Sequence, residues 1–187
     1  MNPLSPSLLI AAAGALLESA RTPDGTARLA EQFLMDVGEL APKNWSAAFV
    51  HHAGFWSHFD HAVGRSIWPL PATADPDELG AFARFRNVLS PRWPRSGDVF
   101  LLWSAKRRRF VHAGIVLIAE RFGPQCSMPP RYACHTIEGN VTPDGGLGGD
   151  RLARVQRILS PLHGDRTIRW DVLGVARIGD LRVGRAA

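Results

Sequence analysis

The chain has 187 residues, 45% of them hydrophobic and 21% charged, which suits one domain with its own core and calls for no disulfide or metal staple. Its 22 Lys and Arg against 17 Asp and Glu leave a formal charge of +5. Such an excess suits an anionic partner such as a cell wall, a membrane surface or nucleic acid, and an arginine-rich composition produces it equally well with no such partner. Two cysteines, Cys126 and Cys134, flank Pro129-Pro130. Their spacing fits no zinc pattern, and two buried thiols are preferred over a disulfide, which needs an oxidising compartment.

The apolar run from Leu8 to Leu17 has no Lys or Arg before it, and Glu18 and Arg21 follow at once. It reads as a packing helix rather than a secretion leader, and it is too short to span a bilayer. Leu8, Leu9, Ala12, Leu16 and Ala20 recur at helical spacing behind Ser5 or Ser7 as caps. A turn at Thr22-Pro23-Asp24-Gly25 precedes a second helix, capped by Thr26 and carrying Leu29, Phe33, Leu34 and Val37. Asn44 caps a third, expected to run through about His52 and to end near Gly54. Asp75-Pro76-Asp77-Glu78 opens a fourth, expected to reach about Val88, with a cap, a proline at the first position and acid in the first turn.

The pattern then turns to strand. Ser96-Gly97-Asp98 is a turn into Val99 to Trp103, Lys106 to Arg109 a solvated hairpin tip, and Phe110 to Glu120 a long apolar strand. Further strands are expected at Tyr132 to Glu138, Leu152 to Ile158 and Val172 to Ile178, with a flexible glycine-rich loop at Asp144 to Asp150. Helices followed by an antiparallel sheet make an α+β domain.

Within this frame one set of residues carries chemistry. Ser46 lies at the start of the third helix, where unpaired N–H groups and the positive end of the helix dipole stabilise an anion. His112 sits in the strand Phe110 to Val116, and Glu138 and Asn140 flank Gly139 at the end of the next. A nucleophile, a base and a group that fixes the tautomer of the base are the parts of a covalent hydrolase. Strand alternation puts Glu138 and Asn140 on one face, one to orient the imidazole and the other to hold an oxyanion or substrate. Gly114 leaves room for a substrate backbone or the nucleophile helix.

Trp45-Ser46-Ala47, Val111-His112-Ala113-Gly114 and Glu138-Gly139-Asn140, in this order, resemble the papain-like hydrolases of the NlpC/P60 and CHAP superfamily. Pro94-Arg95-Ser96-Gly97-Asp98-Val99 is similar to the segment before that family's first long strand, and Val172 to Ala176 to its closing strand. The resemblance spans roughly Asn44 to Ile178. It implies a papain-like core over residues 44–187 with a helical extension over 1–43, and cleavage of an amide bond in peptidoglycan, as amidase or endopeptidase, without cofactor or metal. Ser46, His112, Glu138 and Asn140 would be catalytic; Trp45, Asn44 and Gly114 would line the substrate. Peptidoglycan or its peptide stems would be the partner, with a delivery or immunity protein as a further one and no specific nucleic acid. The protein would be made in the bacterial cytoplasm and act at the wall or periplasm, in a lysin, in wall remodelling or as a toxin.

The family normally has cysteine where Ser46 stands. Three explanations stay open: a replaced cysteine that leaves the enzyme inactive, a native working serine, as in an uncharacterised branch that reads Trp-Ser-Ala-Ala-Phe, or a pseudoenzyme that binds wall fragments without cutting. A serine cannot rest as an anion beside an imidazolium as a thiol can, so Ser46 would need His112 to take its proton during attack. His51, His52, His58, Asp60 and His61 form a second cluster, read as groove residues before metal ligands. Of the six tryptophans, Trp45, Trp56, Trp68 and Trp93 are candidates to line a groove, with most expected in the core.

Overall fold

A computed structural model describes residues 4–39, 44–91, 93–122 and 131–170. Helix α1 spans Pro6–Ser19 and α2 spans Pro23–Asp36, each opening on a proline that suits the first helical position. Thr22, not Thr26, caps α2: its hydroxyl accepts from Gly25 N–H at 3.0 Å. Thr26 lies one turn inside and donates its buried hydroxyl to the Ala20 carbonyl.

Helix α3, Ser46–Ser57, runs one turn past the expected end. Gly54 does not break it; a Cβ there would fall 2.1 Å from the Trp68 ring, so glycine serves close approach of the indole. A small hairpin of β1 (Phe59–Asp60) and β2 (Arg65–Ser66) follows. Helix α4, Pro76–Phe85, has Asp75 as its cap, accepting from Asp77 N–H at 2.9 Å. It stops short of Val88, since Asn87 turns left-handed at φ 56°.

The remaining strands are β3 (Leu89–Ser90), β4 (Val99–Ser104), β5 (Arg109–Phe122), β6 (Arg131–Val141), β7 (Arg151–Leu159) and β8 (Arg166–Ile168). They form one antiparallel sheet in the order β3-β8-β4-β5-β6-β7. The protein is therefore α+β, with helices and an antiparallel sheet. The strand expected at Val172 to Ile178 lies outside the described residues, as does Cys126. Cys134 is a buried free thiol whose burial pushes its pKa up to about 12.

The sheet has two covered faces. On one, Val99, Leu101, Ala113, Ile115, Ile137 and Leu152 join Leu9, Phe33, Phe49 and Leu79 from the four helices in the main core. Helices α1 and α2 thus share a core with the proposed hydrolase segment. On the other face Phe100, Val116, Tyr132, Cys134 and Leu159 form a second, smaller cluster. No helix among the described residues is long and apolar enough to cross a membrane.

The loop from Asp144 to Asp150 is more ordered than its glycines suggest. Leu147 bridges back to Val141, and Gly148 and Gly149 both donate to the Asn140 carbonyl. A Cβ on Gly149 would meet the Val141 backbone at 2.2 Å.

Candidate active site

Strands β5 and β6 pair from Ile115↔Ile137 outward and then separate, leaving no pairing between Ala113 and Gly139. The segment Asn44-Trp45-Ser46 fills this fork. Asn44 Nδ2 donates to the Val111 carbonyl on β5 at 2.9 Å, and Asn140 Nδ2 on β6 donates to Asn44 Oδ1 at 2.9 Å. Asn44 Oδ1 also accepts from Ser46 N–H at 3.0 Å, so one amide side chain ties both strands to the start of α3.

Ser46 Oγ accepts from the Ala113 backbone N–H at 3.3 Å, and the residue has no exposed surface. That N–H is one that strand separation would otherwise leave unpaired. Trp45 is buried too: its ring fills the space beside Gly139, where a Cβ would come within 2.3 Å of it, and it stacks near Phe33.

Gly139 faces Trp45 and Phe49 of α3, so by alternation Glu138 points through the other face of the sheet. His112 points the same way. Its Nε2 meets Glu138 Oε2 at 2.7 Å, and both side chains are wholly buried. Gly114 provides no room for substrate here; a Cβ on it would meet the Phe100 ring at 2.5 Å and Glu138 Cγ at 2.9 Å.

Glu138 is held from three sides. Thr136 Oγ1 donates to Oε1 at 2.6 Å, and Arg157 on β7 donates from Nε to Oε1 at 2.9 Å and from Nη2 to Oε2 at 2.6 Å. Burial works against the carboxylate, but the hydrogen bonds and charges of His112 and Arg157 outweigh it and hold its carboxyl below the usual range. An ionised carboxylate only accepts, so His112 Nε2 carries a proton toward Glu138. The Nδ1 of the same ring is buried without a hydrogen-bond partner among the described residues.

The structure thus brings Asn44, Trp45, Ser46 and Asn140 together at the fork, while the His112–Glu138 pair points through the other face of the sheet. Ser46 and His112 are not hydrogen-bonded; the Ala113 amide, one residue along β5, takes the serine oxygen instead. Asn140, at φ 64°, turns to Asn44 rather than to the imidazole, because the β6–β7 register shifts between Glu138 and Val141. Arg157 and Thr136 were missed by sequence reasoning, and neither belongs to a motif that would mark it.

A cleft of about 420 Å³ opens beside Asn44, between α4 and the start of β5. Thr73, Asp75, Glu78, Arg107 and Val111 line it. Arg109, expected to be solvated at the hairpin tip, pairs there with Asp75.

The histidine cluster divides among separate tasks. His52 Nδ1 meets Asp36 at 2.5 Å. His58 Nδ1 lies 3.1 Å from the Gly54 carbonyl, while its Nε2 accepts from Ser5 N–H. Among the described residues no group of three or more His, Cys, Asp or Glu is arranged to hold a metal. Trp45, Trp68 and Trp170 are in the core, whereas Trp56 and Trp93 are exposed. Searches with family models, among curated proteins and among solved structures find no match to this chain.

Proposed function

We propose that the protein is a papain-like amide-bond hydrolase of the NlpC/P60–CHAP type acting on peptidoglycan, with Ser46 as nucleophile and His112 as general base. The observation that carries the reading is the 2.7 Å hydrogen bond from His112 Nε2 to the Glu138 carboxylate, which leaves Nδ1 as the nitrogen to act as base. In this reaction Nδ1 takes the hydroxyl proton as Oγ bonds to the amide carbon. It then returns that proton to the leaving amine, and water releases the acyl group by the same route. Glu138 stabilises the imidazolium that forms in each half. Asn44 and Asn140 hold the fork at which α3 begins, and the neighbouring cleft is the approach for a peptide stem.

The reaction requires Ser46 to exchange the Ala113 N–H for His112 and to meet solvent. A second reading rests on that requirement: a hydroxyl fully buried and committed to a backbone amide fits a module that binds wall peptides without cutting them.

Incubation with purified peptidoglycan, followed by mass spectrometry of the soluble fraction, separates the two. Hydrolysis predicts new amino and carboxyl termini in stoichiometric pairs, lost in Ser46→Ala and His112→Ala. Sedimentation with the wall, without fragments and unaffected by Ser46→Ala, supports the binding module and overturns the enzyme.

A further inference from the structure

We propose that Arg157 is a positioning residue that sets the tautomer of His112: by keeping Glu138 a carboxylate, it fixes the imidazole proton on Nε2 and leaves Nδ1 open. The inference deepens the proposed reaction, since a base that presents N–H toward its nucleophile cannot accept a proton. It stands, however, on contacts that are independent of any substrate.

The geometry is that of a clamp. Arg157 reaches Glu138 with Nε at 2.9 Å from Oε1 and 3.2 Å from Oε2, and with Nη2 at 2.6 Å from Oε2. A planar guanidinium spanning both oxygens fixes the carboxylate plane as well as its charge. Oε2, the oxygen that Nη2 grips, is also the one facing His112 Nε2. Thr136 completes the carboxylate by donating to Oε1 while its hydroxyl lies 3.0 Å from the Val155 carbonyl. Because that hydroxyl has a single proton, its contacts alone cannot hold a charge.

The charged and titratable groups facing Glu138 among the described residues are His112 from β5 and Arg157 from β7. Cys134 on β6 lies across the strand pair from Arg157, but its thiol is buried and neutral, so it does not compete for the guanidinium. Glu138 has no exposed surface. Without the arginine it would be a buried carboxylate left with an imidazole and one hydroxyl as partners, and burial would favour its protonation.

The consequence is a proton relocation that balances. Glu138 takes up one proton from solvent and becomes a hydrogen-bond donor. To accept from it, His112 must present a lone pair at Nε2, so the ring loses that proton and gains one at Nδ1. Charge on the ring is unchanged; its basic nitrogen now faces Glu138 and is spent there. Arg157, with 18% of its side chain exposed, is the member of this otherwise sealed set that solvent reaches.

The test is the nitrogen NMR spectrum of protein labelled at histidine, with His112 assigned by its loss in His112→Gln. The unaltered protein should show the Nε2–H tautomer at neutral pH. Arg157→Met should show Nδ1–H, reverting only when pH is raised far enough to ionise Glu138. Arg157→Lys, which keeps the charge but not the fork, should retain mostly Nε2–H and serves as the readable variant if Arg157→Met does not fold. An Nε2–H tautomer and a pH response unchanged in Arg157→Met would overturn the inference, as would Nδ1–H in the unaltered protein. If instead the tautomer switches as expected while peptidoglycan stays intact with the unaltered protein, the positioning role holds and the proposed hydrolysis fails.

Discussion

Replacing Ser46 by alanine tests the resting-state hydrogen bond of its hydroxyl by stability alone. The serine has no exposed surface, and its Oγ is the partner of the Ala113 N–H. Deletion of the hydroxyl leaves a buried donor unpaired, at about 1–3 kcal/mol. The 3.3 Å separation marks a long bond and places the loss in the lower half of that range. Alanine, the better helix former, returns a few tenths of a kcal/mol at most at the first position of α3. The net expectation is a loss of about 1–1.5 kcal/mol. With a urea dependence of about 2 kcal/mol per molar, the unfolding midpoint should fall by roughly 0.5–0.8 M at an unchanged slope. A nucleophile held in a strained, substrate-ready position would behave oppositely, since removing such groups commonly leaves stability equal or higher. A Ser46→Ala protein as stable as the parent would refute the hydrogen bond to Ala113 as the resting state of this hydroxyl.

Three further outcomes follow from the same contacts. Gly139→Ala drives a Cβ to within 2.3 Å of the Trp45 ring and 3.1 Å of Phe49 Cβ; overpacking of this kind costs about 1–3 kcal/mol, read by the same urea curves. Burial lowers the pKa of His51 and His58, so below about pH 6.5 the unfolded chain binds more protons than the folded one. Their contribution is therefore whole above that pH and lost as pH falls through the depressed folded values. The lowered carboxyl of Glu138 adds a second loss beneath its unfolded value of about 4.3, and calorimetry across pH 7 to 3 should show both. In Ser46→Cys, the helix end and the uncommitted His112 Nδ1 favour a thiolate. Iodoacetamide, followed by peptide mass, should modify position 46 well before Cys134, whose burial holds it protonated; equal rates would remove the activating environment.

What the sequence disclosed was chiefly what local periodicity and turn chemistry control. The Asp75-Pro76 start of α4, the Ser96-Gly97-Asp98 turn, with Gly97 at φ 84°, and the long strands from Val99 to Leu159 were legible because each carries its own signal. The cap of α2 was misplaced at Thr26; the proline after Thr22 decides for Thr22, because it fixes the first helical residue one step beyond it. The two- and three-residue strands β1, β2, β3 and β8 are too short for any period to appear. At the site, order along the chain brought Ser46, His112 and Glu138 under suspicion together, but the face on which each side chain lies depends on the fork between β5 and β6. Gly114 illustrates this: a glycine two residues from a histidine reads as open space, and only the cross-strand neighbours Phe100 and Glu138 fill it. Arg157 was hidden for the same reason, since an arginine in the alternating pattern of β7 is indistinguishable from a solvated one until register sets it beside Cys134 and over Glu138.

The proposed chemistry stands on Ser46 becoming a nucleophile toward an acyl group with His112 as its base. A fluorophosphonate probe tests this without knowledge of the natural bond, because a serine activated in this way displaces fluoride and keeps the phosphonyl group. Intact mass after incubation, followed by peptide mapping, locates the adduct. The account predicts one phosphonyl group on Ser46 in the unaltered protein and none in Ser46→Ala or His112→Ala. An unmodified Ser46, in protein that also leaves purified peptidoglycan uncut, would contradict it.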